Sequence, residues 1–375
     1  MGPLAGVKIV EFTGIGPGPM AAMLLVDMGA TVLRIDSTAA AGLGVPMAQH
    51  HEFTHRSRAV VNLDLKERAG IEVALRLIDG ADGLIEGFRP GVMERLGLGP
   101  DVCLGRNPKL AYGRITGWGQ DGPMALAAGH DLNYIAVTGA LHAIGRAGQK
   151  PTPPLNLVGD YGGGAMYLVT GLLAAILSAR ATGAGQVVDA AMVDGALSLM
   201  TPIYAMQAGG RLPAPRGENQ LDSGAYYYEV YECADGQYVS LAPIEAKFHA
   251  ELLRLLEIDP AAMPAQRDRT GWAHWKEVLS ARFLTRTRDE WCRILEGSDA
   301  CFAPVLSMAE AHAHPHNQAR GAFIDVGGQR QPAPAPRFGT TTLATPRAPG
   351  SVPVAEALAA WGLSPSDIGV GPGTV

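Results

Sequence analysis

The chain has 375 residues, 47% of them hydrophobic and 18% charged, with a formal net charge of −6. That length and apolar content suffice for a large core and favour about two domains, while the negative balance leaves no basic stripe for nucleic acid. The N-terminus has no basic segment ahead of an apolar run. The longest apolar stretch, Ala165 to Ser178, is too short to span a bilayer comfortably, and the cysteines Cys103, Cys233, Cys292 and Cys301 have no CxxC spacing. The expected setting is the reducing cytoplasm, with no metal, no disulfide and no membrane.

In chain order, Val7 to Phe12 is predicted as a short strand. A turn at Gly14-Ile15-Gly16-Pro17-Gly18-Pro19 follows, then a helix from Met20 to Met28 that ends at Gly29. This helix is apolar all round, which implies burial on both sides, as in a doubly wound α/β domain. A second strand runs from Thr31 to Asp36, and a polar, Ala/Gly-rich loop from Ser37 to Arg58. Val60 to Leu65, a helix from Glu67 to Leu77, and strands Gly83 to Glu86 and Leu110 to Thr116 continue the alternation. Such alternation predicts an open, mostly parallel sheet. Gly162-Gly163-Gly164 opens a helix to Ala179, and Gln186 to Ala191 is a further strand.

From Met206 to Gly224 the chain is rich in Gly, Pro and polar residues, which predicts a linker. Tyr226 to Cys233 and Tyr238 to Ala242 flank Ala234-Asp235-Gly236, a hairpin signal. Amphipathic helices at Phe248 to Leu256, Trp272 to Phe283 and Arg288 to Gly297 complete a smaller α+β domain. The Pro-rich run from Gln331 to Pro353 is predicted to be extended. The expected organisation is a large Rossmann-like domain at 1–205 completed by 330–375, a linker at 206–224 and a small domain at 225–329.

Gly14-Ile15-Gly16 after a strand, with Asp36 ending the next, imitates a dinucleotide fingerprint. The third glycine position is Pro19, and Pro17 and Pro19 have no N–H to offer a pyrophosphate. A tight turn that lets a buried helix approach the sheet is the favoured reading.

Polar chemistry concentrates in three stretches: Gly129-His130-Asp131-Leu132-Asn133-Tyr134, Asn156 through Asp160 to Gly164, and Ile244-Glu245-Ala246-Lys247. A His-Asp pair in a loop is commonly just solvated, Asp160 alone is a candidate helix N-cap, and Glu245 alone is a surface residue. His130 and Asp160 nevertheless suit proton transfer on two faces of a carbon, since an imidazole titrates near neutral pH. A carboxylate ahead of a glycine-rich helix start benefits from the dipole and from free N–H groups, which also suit an enolate oxygen. His312, His314 and His316 have metal-like spacing without acidic or Cys partners and read as surface, as do His50, His51 and His55.

With these stretches, Asn62-Leu63-Asp64-Leu65-Lys66, Glu86-Gly87-Phe88-Arg89-Pro90-Gly91-Val92, Arg95-Leu96-Gly97, Gly185 to Asp189 and Pro334 to Phe338 make the chain resemble the family III coenzyme A transferases. The resemblance runs from Leu4 to the C-terminus. Transferases of the family use an Asp nucleophile at the position of Asp131, whereas its racemases place His directly before it, as His130 stands here. The racemases also share the pattern of Asn156 to Gly164.

The resemblance therefore implies racemisation of 2-methylacyl-CoA thioesters, with His130 and Asp160 as the acid/base pair and Asp131 either orienting a neighbour or receiving a hydrogen bond from coenzyme A. Glu245 would contact His130 from the other subunit of an interlocked homodimer. Coenzyme A, carried by the substrate rather than bound as a cofactor, would lie along Arg34, Leu63, Asp64, Leu65, Lys66, Gly87, Phe88, Arg89, Arg95, Gly129, Leu132, Asn133 and Tyr134. One position departs from the racemases: Ser37 stands where they often have Arg, and Arg34, Arg56 or Arg58 is expected to compensate. Competing readings are a transferase that uses Asp131 as nucleophile and a non-catalytic acyl-CoA binding protein.

Overall fold

The computed structural model describes residues 2–38, 42, 44–262 and 264–368, which form two compact units. The first contains Met1–Thr138, Leu155–Met200 and Gly321–Val375; the second contains Gly139–Pro154 and Thr201–Arg320.

The first unit is built on a parallel sheet of six strands: β1 Lys8–Phe12, β2 Thr31–Ser37, β3 Ala59–Leu63, β4 Gly83–Glu86, β5 Ala111–Thr116 and β6 Gln186–Ala191. Their order is β3-β2-β1-β4-β5-β6. This is the doubly wound order, whose direction switches between β1 and β4; ligands of such sheets collect outside the carboxyl ends of the strands at that point. One face buries Val10, Leu33, Val61, Leu84 and Tyr112. It is covered by the helix Arg68–Asp79 and, from the far end of the chain, by Val354–Ala360. The opposite face buries Ile9, Val32, Ile85 and Ala111 under the helices Pro17–Asp27 and Met166–Thr182. With both faces covered, strands read as near-continuous apolar runs, the signal visible in the sequence.

Two helices start earlier than the sequence predicts. The first opens at Pro17 rather than Met20, because a proline in the first turn has no intrahelical N–H bond to lose. The second opens at Leu157 rather than Gly162. Leu157–Ala165 is wound as a π-helix and continues into the α-helix Met166–Thr182, so the glycines lie inside the helix. The joined helix Leu157–Thr182 has 26 residues and is long and apolar enough to cross a membrane, unlike the shorter run read from sequence; half of its most apolar window is buried in the protein.

The second unit has an antiparallel sheet of β7 Glu229–Glu232, β8 Tyr238–Leu241 and β9 Phe302–Val305, in that order. Gly236, at φ +71°, makes the hairpin turn that its dipeptide predicts. Helices Ala246–Leu255, Trp272–Phe283 and Arg288–Leu295 pack on an aromatic core of Tyr226, Tyr231, Trp275, Phe283 and Trp291.

The units divide the chain differently from the compositional boundaries. Residues 139–154 pack with the second unit, where Arg216 donates to the His142 carbonyl at 2.8 Å. The expected linker begins inside the helix Thr201–Ala208. It continues as an ordered turn: Asn219 Nδ2 donates to the carbonyls of Ala214 (3.0 Å) and Pro215 (2.9 Å), and Asp222 accepts from Gly217 N (2.9 Å). The antiparallel pair β10 Phe323–Val326 and β11 Gln329–Pro332 belongs to the first unit. Polar, glycine-rich composition signals exposure, not which core a segment joins.

Candidate active site

His130 is exposed and stands at the N-cap of the helix Asp131–Ala136 with extended backbone, φ −135°. Its own N–H donates to Asn133 Oδ1 at 3.1 Å. On its other side the Tyr134 hydroxyl donates to the Gly129 carbonyl. The Tyr134 ring meets Trp118 edge-on, centroids 4.9 Å apart, and lies so close to Gly117 and Gly129 that a Cβ at either would collide with it. Burial pushes the Tyr134 hydroxyl up to about 12, so it stays a donor. Gly129, Asn133 and Tyr134, expected along the coenzyme, thus also fix the backbone around His130. Leu132 between them is exposed.

Asp160 lies in the first turn of the π-helix, half-buried. Asn156, four residues earlier, donates Nδ2 to Asp160 Oδ2 at 3.2 Å. Gly16, in the turn after β1, closes the other side: a Cβ there would lie 3.0 Å from Asp160 Oδ2. The Asp160 carboxyl is raised above the usual range, first by burial; the Asn156 hydrogen bond pulls it down, the Asp131 charge pushes it up and His130 pulls it down. The expectation that Asp160 stands ahead of the glycines at a helix start needs correction. A π-helix pairs each N–H with the carbonyl five residues back, starting from the carbonyl of the N-cap Asn156, so the amides without helical partners are those of 157–160 rather than 162–164.

Asp131 joins the two. It is 4% exposed, and its Oδ2 accepts the Asp160 backbone N–H at 2.6 Å. Its Oδ1 is buried and has no hydrogen-bond partner among the described residues. Gly159 must lack a side chain, because a Cβ would stand 2.6 Å from Asp131 Oδ2. Asn156, Gly16 and Gly159 had no assigned role from sequence. The spacing of four between Asn156 and Asp160 on one helical face was the available signal.

Of the remaining predicted coenzyme residues, those at 63–66 and 87–89 lie at or just beyond the ends of β3 and β4, Arg34 lies within β2, and Arg95 ends the helix Val92–Arg95. Gly87, Phe88 and Arg89 follow β4 at the switch point. Buried Glu86 fixes them: it accepts Phe88 N at 2.7 Å and Arg114 Nε at 2.8 Å. Arg89 and Arg95 are exposed, and the Arg89 charge acts on the Tyr134 hydroxyl. After β3, Asp64 Oδ1 accepts Lys66 N at 2.9 Å and both side chains are exposed, whereas Leu63 is in the core and Leu65 packs against it. Arg34, on β2, bonds Asp36 through Nε at 2.6 Å.

Arg56 and Arg58 do not compensate for Ser37. Arg56 is buried and held by Asp27 (3.1 Å at Nε), Gln331 (2.9 Å) and the Pro332 carbonyl (2.8 Å). Arg58 is buried against Glu11 at 2.5 Å. A guanidinium taken into a core must be paired there and is not available to a phosphate. Of the three, Arg34 remains.

In the second unit, Glu245 is exposed at the N-cap of Ala246–Leu255, and its carboxylate makes no capping bond to that helix. No group of three His, Cys, Asp or Glu suited to a metal occurs among the described residues. His314 pairs with Glu296 at 2.8 Å, and burial pushes His55 down to about 3. All four cysteines are free.

Known proteins share this organisation. The sequence model of CoA-transferase family III matches residues 4–354. The mouse protein named alpha-methylacyl-CoA racemase is 41% identical over 339 residues, covering 90% of this chain and 87% of its own. The human protein of that name is 39% identical over 336 residues, covering 89% and 86%. A crystal structure of a CAIB/BAIF family protein from Brucella suis superposes with a TM-score of 0.81 at 26% identity, covering 95% of this chain and 98% of that one. The chain belongs to CoA-transferase family III.

Proposed function

We propose that the protein is a racemase that interconverts the (2R) and (2S) forms of 2-methylacyl-CoA thioesters. His130 and Asp160 are the two acid/base groups, and an enolate is the intermediate. One group takes the α-proton from one face while the other delivers a proton to the opposite face; the roles exchange with the hand of the substrate. Coenzyme A arrives as part of the substrate, and no further cofactor is needed. Glu245 holds the tautomer of His130 across the subunits of a homodimer, in the cytoplasm.

The observation that carries this reading is how three side chains differ in access. His130 is exposed and Asp160 is half-buried with a raised carboxyl, a state suited to moving protons in both directions. Asp131, the nucleophile of the transferase reading, is 4% exposed and already holds the Asp160 amide. A carboxylate that attacks a thioester needs an open approach to the carbonyl carbon.

The test is to incubate a single-handed 2-methylacyl-CoA in D₂O, with no acceptor acid, and follow the α-proton by NMR. Exchange with loss of handedness is expected. His130→Ala and Asp160→Asn should each slow racemisation by roughly 10²–10⁴-fold, each leaving residual exchange in one hand only. Full exchange in both variants overturns the pair. CoA transfer on adding an acid, without exchange in its absence, overturns the racemase.

A further inference from the structure

Glu245 stands at a helix N-cap, where a carboxylate normally turns back onto the backbone N–H groups of the first turn. Here it makes no such bond and remains exposed. The helix still starts in a fixed place. The His249 N–H donates to the Glu245 carbonyl at 3.0 Å, and the buried His249 ring meets the Tyr226 hydroxyl at 2.8 Å. Something other than the Glu245 side chain must therefore set the approach to the cap.

That approach is the segment Ala242-Pro243-Ile244, which leaves β8 and whose carbonyls lie outside any helix. Ala242 N donates to the Cys301 carbonyl at 2.9 Å and anchors its near end. At its far end, Gln266 Nε2 donates to the Pro243 carbonyl at 2.8 Å and to the Ile244 carbonyl at 3.1 Å. A primary amide has two N–H bonds on one nitrogen, so a single side chain serves adjacent carbonyls. The backbone of Gln266 is fixed in turn, because its carbonyl accepts Trp272 Nε1 at 3.0 Å and the Trp272 ring is buried in the core of the unit. The chain thus runs from a core tryptophan through Gln266 to the two carbonyls just before Glu245.

We propose that Gln266 is a positioning residue for the reaction, clamping the carbonyls of Pro243 and Ile244 so that the Glu245 carboxylate projects from the cap at a fixed angle. This rests on the reading of Glu245 as the partner of His130. Gln266 touches no reacting atom; it acts through Glu245, and removing its N–H groups lets the segment pivot. Misplacement of about 1 Å far from the chemistry costs roughly 100-fold in rate.

A double-variant cycle on the full-length protein tests this, with α-proton exchange into D₂O measured for wild type, Gln266→Met, Glu245→Gln and the double variant. Methionine keeps the length and removes the donors; thermal midpoints and Gln266→Asn, which retains an amide, identify a mere folding defect. Gln266→Met is expected to lower kcat roughly 10- to 100-fold with KM unchanged, and the double variant to be no slower than Glu245→Gln alone. Independent, multiplying losses, or a full rate in Gln266→Met beside a slow Glu245→Gln, overturn the clamp. A full rate in Glu245→Gln removes the partner role of Glu245 and the clamp with it. Absence of exchange in the wild type overturns the racemase instead.

Discussion

Asp160 and Asp131 are two carboxylates of one small site in different circumstances. Asp131 is buried, accepts a backbone N–H and has one bare oxygen, whereas Asp160 faces solvent in part and has its carboxyl raised by burial and then by Asp131. Asp131→Asn separates geometry from charge, because the amide oxygen still accepts the Asp160 N–H while the negative charge is gone. The expected result is a shift of the acid limb of the pH–rate profile to lower pH, since Asp160 then ionises more readily. Both hands of the substrate shift together, because the equilibrium constant of racemisation is near one. A profile that keeps its acid limb while the rate falls would assign Asp131 a purely structural part. His130 and Asp160 were legible as reactive types in a polar stretch, but the bond from Asp160 N to Asp131 joins residues 29 positions apart and has no signature in either segment.

At the scale of elements, the strands of the parallel sheet were legible because a sheet covered on both faces demands apolar runs; β4 and β6 begin and end where the sequence places them. The π-helix was not. Three glycines after an aspartate imitate a helix start, and nothing local reveals that the winding begins five residues earlier. Their purpose lies across the fold. Gly163 lies against Gly195 of the helix Met192–Leu199 so closely that a Cβ on Gly195 would collide with the Gly163 backbone. The close approach of the two backbones holds the helix that carries Asp160. Gly195→Ala is expected to destabilise the protein by about 1–3 kcal/mol, seen as a lower thermal midpoint, and to slow proton exchange as the turn around Asp160 shifts. Gly105, inside the helix Pro100–Arg106 with nothing within 4 Å of its would-be Cβ, is the control. Gly105→Ala should gain roughly 0.5–1 kcal/mol through helix propensity and leave exchange unchanged.

At the scale of the molecule, the first unit is assembled from distant parts of the chain, and Arg56 is one of the ties. Arg56, near the end of a polar loop, was one of three residues expected to compensate for the Arg missing at Ser37, yet it bonds Asp27 on one side and Gln331 and Pro332 of β11 on the other, 275 and 276 residues away. Both members of the ion pair are almost fully buried. Burial raises the Asp27 carboxyl, opposed by the Arg56 hydrogen bond and charge. Arg56→Ala leaves that carboxyl without its partner, which typically costs about 3–5 kcal/mol. The pH dependence has a definite sign. Without Arg56 the folded-state pKa of Asp27 rises further above its unfolded value, so the protonated form favours folding and the ionised form opposes it. The loss relative to wild type is therefore largest at neutral pH and shrinks as pH falls towards the unfolded value of about 4. Adding Asp27→Asn removes the bare charge, so Asp27→Asn/Arg56→Ala should recover most of the stability at pH 7. Denaturant unfolding of the three variants at pH 7 and pH 5 measures this. If Arg56→Ala loses the same amount at both pH values and the double variant recovers nothing, Arg56 matters through its bonds to Gln331 and Pro332 and not through the charge on Asp27.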